Sequence, residues 1–261
     1  MIRPIQSPQN ENFKIWKLLS TSKGIRKHQC FFLMGEKLIN EFLKKPNFEI
    51  MGEVMGPDHR MLLEGKAFDQ VPKYRMSQEM FDEIDVVGTH FNLLLLKEPE
   101  ISTVEISQPK NLQLILPLGD PTNLGASIRS ACAFGVEKIL LTEEASHPFH
   151  PKAVKSSAGA CLKMSFAKLS GGLKATLDRI PSDSSFVLDQ KGQDISKFKW
   201  PQNLFLLVGE EGPGLPAHRL PVLSLSTQKV ESLNAAVTVS IACYSYQNYT
   251  FTAGRPSRPQ C

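Results

Sequence analysis

The chain has 261 residues, of which 41% are hydrophobic, so it can bury one large core or two smaller ones. Its 30 Lys and Arg against 26 Asp and Glu leave a net charge of +4, too small to identify a nucleic-acid partner unless the charges are clustered. The sequence shows no apolar run of about 18 residues and no apolar signal core at its start, so we expect a cytoplasmic protein without a membrane span.

Residues 1–100 alternate helical and strand patterns. Phe13, Trp16 and Leu19 recur at helical spacing, and Ser77 stands at the expected N-cap of a later helix. The predicted elements are a helix within 12–20, a strand within 29–36, a helix over 37–45, a strand within 49–55, a helix over 77–84 and a strand over 90–97. This alternation predicts a small α/β domain, followed by a linker over 97–110.

Residues 108–250 repeat the alternation with more apolar strands. Strands are predicted at 112–119, 138–142, 164–169, 185–189, 203–209 and 222–226. Helices are predicted from Thr122 or Asn123, as N-cap, to Phe134, around 152–158, over 173–180 and from Asn234 to Tyr246. Strand runs this apolar indicate a mostly parallel sheet with helices on both faces, so the fold class is α/β.

Three loops that follow predicted strands are rich in glycine, amides and charge. They are GDPTNLGASIR (119–129), GEEGPGLP (209–216) and STQKVESLN (226–234). Ligands of open parallel sheets bind beyond the carboxyl ends of the strands, so these loops predict one composite site, with ordinary turns as the alternative. GEEGPGLP contains neither GxxxxGKS/T nor GxGxxG, and its acids would repel phosphate but tolerate a cationic sulfonium.

Charge is unevenly distributed along the chain. The balance is +6 over residues 1–45, −7 over 46–105 and +5 over 106–261. The two basic regions are compatible with a phosphate-backbone partner. A solvated helix face is an equal alternative on charge alone. Its cations would be Lys14, Lys17, Lys23, Arg26 and Lys27.

The three loops together resemble the signature motifs of the SpoU/TrmH family of RNA ribose methyltransferases, in the SPOUT superfamily. The matching stretches are DPTNLGASIRSACAFG (120–135), LFLLVGEEGPGLP (204–216) and LSLSTQKVESLNAAVTVSIACY (223–244). The motif residues in register are Asn123, Gly125, Arg129, Gly209, Glu211, Gly212, Ser232, Leu233 and Asn234. HPKAVKSSAGA (150–160) resembles a further family stretch, and the match covers roughly 112–246.

Residues 10–45 resemble the N-terminal RNA-binding domain that is frequent in this family and related to a ribosomal-protein fold. The matching stretch is RKHQCFFLMGEKLI (26–39), in which Met34 replaces the family's usual Glu. The third motif departs as well, because Leu225-Ser226-Thr227 replaces a common Ile-Pro-Met run. An apolar contact remains at Leu225, but the turn set by proline is lost.

The resemblance implies methyl transfer from S-adenosylmethionine to a ribose 2′-hydroxyl of rRNA or tRNA. Arg129 would stabilise the alkoxide or hold the adjacent phosphate. Asn123 would hold Arg129 or the ribose, with a plain helix N-cap as its alternative, and Glu211 would orient Arg129 or Asn234. Ser232 and Asn234 would bind substrate at the start of the last helix.

The resemblance further implies a homodimer and a deep trefoil knot in the C-terminal domain, which spans 108–250. The expected cofactor-binding residues are Gly209, Gly212, Leu225 and Leu233. The expected RNA contacts are Arg26, Lys27, Lys152 and Lys155. Residues 1–100 would form the domain that binds the RNA substrate.

Other functions stay open on the sequence alone. The chain could be an RNA-binding protein with an inactive catalytic domain, although Arg129 and Asn234 are both retained. It could also be a methyltransferase that modifies rRNA to confer antibiotic resistance. A Rossmann methyltransferase is disfavoured because no glycine-rich loop follows the first strand of either half. Five scattered cysteines form no CxxC or Cys/His cluster, which predicts reduced thiols and no metal.

Overall fold

The computed structural model describes residues 2–210 and 215–252, with side chains through 250, and these residues form two compact units. Unit 1 contains residues 2–100 and 147–162, and unit 2 contains the other described residues. The sequence places 147–162, which we call the return segment, in the second domain, whereas the structure packs it into unit 1. Among the described residues, no helix is both long and apolar enough to cross a membrane.

Unit 1 is built on a five-stranded mixed sheet. Its strands are β1 (Ile2–Ile5), β2 (Cys30–Leu33), β3 (Ile50–Met55), β4 (Lys73–Met76) and β5 (Leu93–Lys97), in the order β1-β4-β3-β5-β2. β1 and β3 run parallel to β4, whereas β5 runs antiparallel to β3 and β2. Its first helices are α1 (Glu11–Leu18), α2 (Ser22–His28), α3 (Glu36–Lys44) and α4 (Gln78–Ile84).

Side-chain caps fix where three of these helices begin. Ser77 caps α4 as predicted, and Asn10 and Thr21 cap α1 and α2 by accepting hydrogen bonds from backbone N–H groups. The predicted alternation is confirmed at α1, β2, α3, β3, α4 and β5. Three short elements, β1, α2 and β4, lie where no element was predicted, because their patterns are too short to show a period.

Unit 2 holds a six-stranded sheet whose pairings are all parallel. Its strands are β6 (Leu112–Leu116), β7 (Lys138–Leu141), β8 (Ser165–Lys168), β9 (Ser185–Asp194), β10 (Leu204–Val208) and β11 (Val222–Ser224), in the order β11-β9-β10-β6-β7-β8. Its helices are α5 (Pro121–Ala133), α7 (Gly172–Arg179) and α8 (Ala235–Thr252), and α6 (Pro151–Ser156) belongs to the return segment of unit 1. The predicted parallel α/β sheet is confirmed.

The central strand of unit 2, β10, is buried on both faces. Phe205 and Leu207 share one core cluster with Leu177 of α7. The alternate residues Leu204 and Leu206 point to the opposite face and are fully buried too. Burial on both faces explains why this strand is an unbroken apolar run in the sequence.

Helix α5 begins earlier than predicted. Its N-cap is Asp120, whose carboxylate accepts from the backbone N–H of Asn123 at 2.8 Å. Pro121 occupies the first helical turn, where a missing N–H costs no hydrogen bond. The prediction of Thr122 or Asn123 as the cap was therefore wrong, and Asn123 lies inside the first turn.

The return segment completes the core of unit 1. Phe149 stacks on Phe31 of β2 with ring centroids 4.5 Å apart. Gly159 has a φ of +77°, and a Cβ at this position would lie 2.3 Å from Leu38 Cδ1 of α3. A larger residue at 159 would therefore strain the backbone and displace the Leu38 side chain.

A buried polar pair joins β5 to the return segment. His147 Nδ1 accepts from Phe149 N at 3.2 Å, so Nε2 carries the proton and donates to Glu98 Oε1 at 2.8 Å.

Burial, followed by the Glu98 charge, raises the pKa of the Cys30 thiol to about 11. Burial raises the pKa of Cys243 in α8 to about 12. Both thiols are protonated and unreactive at neutral pH.

Candidate cofactor and substrate site

The three polar loops converge at the carboxyl end of the parallel sheet in unit 2. Glu210, directly after β10, accepts a hydrogen bond from the backbone N of Asp120 at 2.8 Å, which joins the second loop to the first. Asn234 Nδ2 donates to Asn123 Oδ1 at 2.9 Å, which joins the third loop to the first. The loops are therefore neighbours, as predicted, and Glu210, in the variable position of the motif, makes one of the two links.

Asn234 also starts helix α8. Its Oδ1 accepts from the backbone N–H groups of Ala236 at 3.0 Å and Val237 at 3.4 Å. One amide thus caps the helix through its oxygen and contacts Asn123 through its nitrogen. Ser232 lies exposed two residues before this cap.

A cleft that is partly open to solvent lies at this edge of the sheet. The middle of β9, the end of β10 with the loop after it, the loop after β11 and the start of α8 line it. The predicted cofactor residues Gly209, Leu225 and Leu233 are all in the lining, together with Ser232.

The lining combines leucines with carboxylates. Its leucines are Leu188, Leu215, Leu225 and Leu233. Its carboxylates are Asp189, Glu210 and Glu231, and the described lining contains no Lys, Arg or His. Because a negative wall attracts cations and repels phosphate, the cleft suits an uncharged heterocycle joined to a positive centre.

One wall of the cleft comes from an irregular part of β9 that the sequence analysis missed. Val187 of β9 pairs with Val222 of β11. The next residue of β11, Leu223, pairs with Gln193, so residues 188–192 bulge out of the ladder. The first three residues of this bulge line the cleft. The only signal in the sequence was the polar run that starts at residue 189, where the strand was predicted to end.

Glycine at 209 allows Leu215 to close over the cleft. A Cβ on Gly209 would lie 2.9 Å from Leu215 Cδ2, so a larger residue would push this leucine out of place. Glu211 and Gly212, the other two predicted site residues of this loop, lie outside the described residues.

Arg129 is exposed on α5 and is not in the described cleft lining. No described residue gives it a hydrogen bond or an ion pair. Contact with Arg129 was one of two expectations for Asn123, and the described hydrogen bonds do not include it. Residues six apart in a helix point about 120° apart, and Asn123 contacts Asn234.

The four predicted RNA contacts all belong to unit 1. Arg26 and Lys27 are exposed in the last turn of α2. Lys152 and Lys155 are exposed on α6, and Lys155 Nζ donates to Val87 O at 2.8 Å. Both helices pack against β2. Within the described ranges, no three His, Cys, Asp or Glu side chains are gathered as a metal site requires.

Six parallel strands with three polar loops beyond their carboxyl ends define an α/β ligand-binding domain in unit 2. The model of the SpoU rRNA Methylase family matches residues 110–244, more than half of the chain. The chain belongs to the SpoU rRNA methylase family, as its motifs predicted.

Named relatives cover almost the whole chain. The chain is 37% identical over 249 residues to the ribosomal RNA small subunit methyltransferase G 2 of Syntrophobacter fumaroxidans, covering 94% of this chain and 49% of that protein. It therefore spans about half the length of this relative. It is 26% identical over 254 residues to the 23S rRNA (guanosine(2553)-2′-O)-methyltransferase RlmP of Bacillus subtilis, covering 93% of this chain and 98% of that protein.

Solved structures share the fold. The SpoU methyltransferase AviRb from Streptomyces viridochromogenes, in complex with the cofactor AdoMet, matches with a TM-score of 0.74 at 18% identity, over 95% of this chain and all of that chain. A TrmH-family protein from Porphyromonas gingivalis matches with a TM-score of 0.72 at 22% identity, over 93% of this chain and 99% of that chain. At these identities the agreement concerns the fold alone.

Proposed function

We propose that the protein is an S-adenosylmethionine-dependent RNA methyltransferase that methylates a ribose 2′-hydroxyl. The observation that carries this proposal is the hydrogen bond between Asn123 and Asn234 next to a cleft lined by Gly209, Leu225 and Leu233. Membership of the SpoU family supports it. So does the name of the Bacillus subtilis relative, a 2′-O-methyltransferase of 23S rRNA that is similar along nearly its full length.

The cleft has the groups that S-adenosylmethionine needs. The backbone at Gly209 offers polar groups to an adenine edge, and the half-buried Leu225 and Leu233 offer apolar surface to its faces. Asp189 and Glu231 favour its positive charge. The bound cofactor supplies an already activated methyl group, so the protein has to align the hydroxyl and help it lose its proton.

In this proposal Arg129 is the residue that stabilises negative charge on the RNA. Its guanidinium is a planar cationic fork of donors and has no partner among the described residues. It can hold the phosphate next to the ribose or stabilise the oxygen as the proton leaves. Asn123 and Asn234 fix the surface on which the ribose lies, Ser232 adds a hydroxyl for it, and Glu211 orients Arg129 or Asn234.

Unit 1 supplies the RNA affinity in this proposal. Arg26 and Lys27 on α2, with Lys152 and Lys155 on α6, present four exposed cations on one compact unit. Contacts of this kind bind phosphates without reading sequence. The substrate, rRNA or tRNA, is recognised mainly through its shape.

The protein acts as a homodimer in this proposal, and its C-terminal domain contains the trefoil knot of the family. Helix α8 has no charged residue in its sequence. It exposes Val237, Ile241 and Tyr244 at helical spacing, with 46%, 37% and 56% of each residue accessible. A second copy would cover this stripe. Sedimentation velocity should show a dimer for the wild type and a monomer for Ile241→Glu, and a monomeric wild type would contradict this part.

The test of the activity is methyl transfer from labelled S-adenosylmethionine into total RNA, followed by digestion to nucleosides. A labelled 2′-O-methylnucleoside is the expected product, whereas label on a base would refute ribose methylation. If no label enters any RNA, calorimetry with S-adenosylmethionine decides, because an inactive RNA-binding protein would bind RNA without the cofactor. Susceptibility to ribosome-directed antibiotics, measured with and without expression, tests the resistance alternative.

A further inference from the structure

The loop after β11 places two cleft residues, Leu225 and Thr227, on either side of Ser226. Ser226 Oγ donates a hydrogen bond to Asp194 Oδ2, at the end of β9. We propose that Asp194 and Ser226 form a clamp that positions Leu225 and Thr227 and thereby sets the affinity for the cofactor. The inference rests on the proposed function, because it assigns positioning residues within that same site.

Asp194 is held firmly on its other side. Its Oδ1 accepts from the backbone N of Ser196 at 2.7 Å, which caps the short 3-10 helix Ile195–Lys197. Ile195 of that helix is buried and anchors the turn. Oδ1 is therefore bonded to an anchored turn, and Oδ2 accepts the hydrogen bond from the loop after β11.

The position of the clamp along the ladder explains why it is needed. β11 ends at Ser224, whose Oγ donates to Gly192 O at 3.0 Å. A Cβ on Gly192 would lie 2.3 Å from Val222 O, so the two backbones are in close contact up to this point. Residues 225–227 lie beyond the last paired residue of β11. The hydrogen bond from Ser226 to Asp194 therefore connects the loop after β11 to β9 just beyond the last paired residues.

The clamp also fixes the cleft from two sides. Residues 188–192 of β9 form the bulge, of which 188–190 line the cleft, and Asp194 directly follows Gln193, where β9 resumes its pairing with β11. Leu225 and Thr227 belong to the facing loop. A single carboxylate thus sets the spacing between the bulge and the loop, which is the space the cofactor would occupy.

The charge on Asp194 strengthens the clamp and is present at every useful pH. Hydrogen bonds from Ser196 and then Ser226, with a smaller contribution from the Lys197 charge, lower the pKa of Asp194 from 3.8 to about 2. Hydrogen bonds to an ionised carboxylate are stronger than those between neutral groups. Cofactor affinity should therefore show no titration of this group between roughly pH 5 and 9.

The experiment is calorimetric titration of the full-length protein with S-adenosylmethionine. Ser226→Ala should raise the Kd by about 3- to 10-fold, the range expected for losing one hydrogen bond. The KM for the cofactor should rise with it, while kcat at saturating cofactor stays at the wild-type value. Ser226→Thr keeps a hydroxyl and should restore most of the affinity.

The matched control is Ser196→Ala. The Ser196 side chain also hydrogen-bonds Asp194, yet its loss leaves the bond to Ser226 in place, so wild-type affinity is expected. Unchanged Kd in Ser226→Ala would overturn the clamp and leave the proposed function standing. Equal losses of affinity and of Tm in both variants would also overturn it, by showing a general structural effect. Absence of binding by the wild type would instead refute the proposed function.

Discussion

The two halves of the candidate site are held by different kinds of interaction. The cleft half relies on backbone at Gly209 and on the leucines 225 and 233, which are half-buried. The polar half relies on the amide pair of Asn123 and Asn234 and on Arg129, which has no partner among the described residues. Apolar contact is spread over many atoms, whereas charge and hydrogen bonding depend on single groups. Single substitutions should therefore have small effects on cofactor affinity in the cleft and large effects on activity in the polar half.

The largest effect is expected at Arg129. In the proposed reaction, Arg129→Ala should lower kcat for RNA methylation by roughly 10²–10³-fold, because the variant lacks the cation assigned to stabilise the negative charge on the ribose oxygen. The Kd for S-adenosylmethionine should not change, since Arg129 does not line the described cleft. Tm should not change either, because the side chain is exposed. Methyl transfer, calorimetry and thermal melting are the measurements.

Arg129→Lys sharpens this test. It keeps the charge and loses the planar fork, so we expect only partial recovery if both phosphate and ribose are held. Full activity in Arg129→Ala would show that the polar half does not depend on this residue and would remove the contrast between the halves.

The next largest effect is expected at Asn234, where stability and activity can be separated. Asn234→Asp keeps a good N-cap for α8 but cannot donate to Asn123 Oδ1. We expect Tm close to that of the wild type and activity lowered by roughly 10- to 100-fold. Asn234→Ala should also lose about 1 kcal/mol of folding free energy. Equal activity of Asn234→Asp and wild type would contradict the role of the amide pair.

A smaller effect is expected in the cleft. Leu233→Ala should raise the Kd for S-adenosylmethionine by about tenfold, because a half-buried leucine contributes about 1–2 kcal/mol of apolar contact. At saturating cofactor kcat should be near the wild-type value. Val230→Ala is the control, since Val230 is exposed on the same loop and does not line the described cleft. A collapse of kcat in Leu233→Ala would erase the difference between the two halves.

A comparable or smaller effect is expected from single cations of unit 1. Lys27→Gln should raise the KM for RNA a few-fold at moderate salt and reduce the salt dependence of RNA binding by about one ion. Lys174→Gln removes an exposed cation of α7 in unit 2 and should leave both quantities unchanged. Filter binding over a range of salt concentrations gives the slopes. An equal loss of RNA affinity in both variants would show that binding depends on the net charge of the protein and not on the position of Lys27.

The smallest effect concerns acid stability. The pKa of Asp194 is lower in the folded protein than its ordinary value of 3.8, so its stabilising contribution is complete above that value. The contribution should fade as the pH falls from about 4 to about 2. Unfolding of Asp194→Asn, followed by circular dichroism, should therefore show a smaller loss of stability across this interval than the wild type. A steeper loss in the variant would contradict the assigned direction.

The sequence predicted those parts of the fold that depend on local pattern. The apolar runs of β6 and β10 are recognisable because both faces of these strands are buried. The three loops could be placed together because parallel strands end at the same edge. Gly209, Leu225 and Leu233 were assigned through the family motifs, and the structure brings them into one cleft.

What the sequence could not predict depends on long-range pairing. The bulge at 188–192 is a property of the register between β9 and β11, and nothing local to DQKGQD sets that register. The placement of the return segment depends on Phe149 meeting Phe31, far away in the chain. Thr122 and Asn123 are also good N-cap residue types, so only Pro121 in the first turn distinguishes Asp120 as the cap.

The return segment has a consequence for how the protein is made. The hydrogen bond from His147 to Ser22 spans 125 positions, and Leu162 O closes on Asn47. During synthesis, unit 1 therefore cannot finish its core when residue 100 leaves the ribosome. At about 5–20 residues per second it waits on the order of several seconds while β6, α5 and β7 emerge first. A fragment ending at residue 100 would lack the part of that core that residues 147–162 supply. Truncation at a single position therefore cannot yield an N-terminal fragment with the complete core of unit 1 and nothing of unit 2.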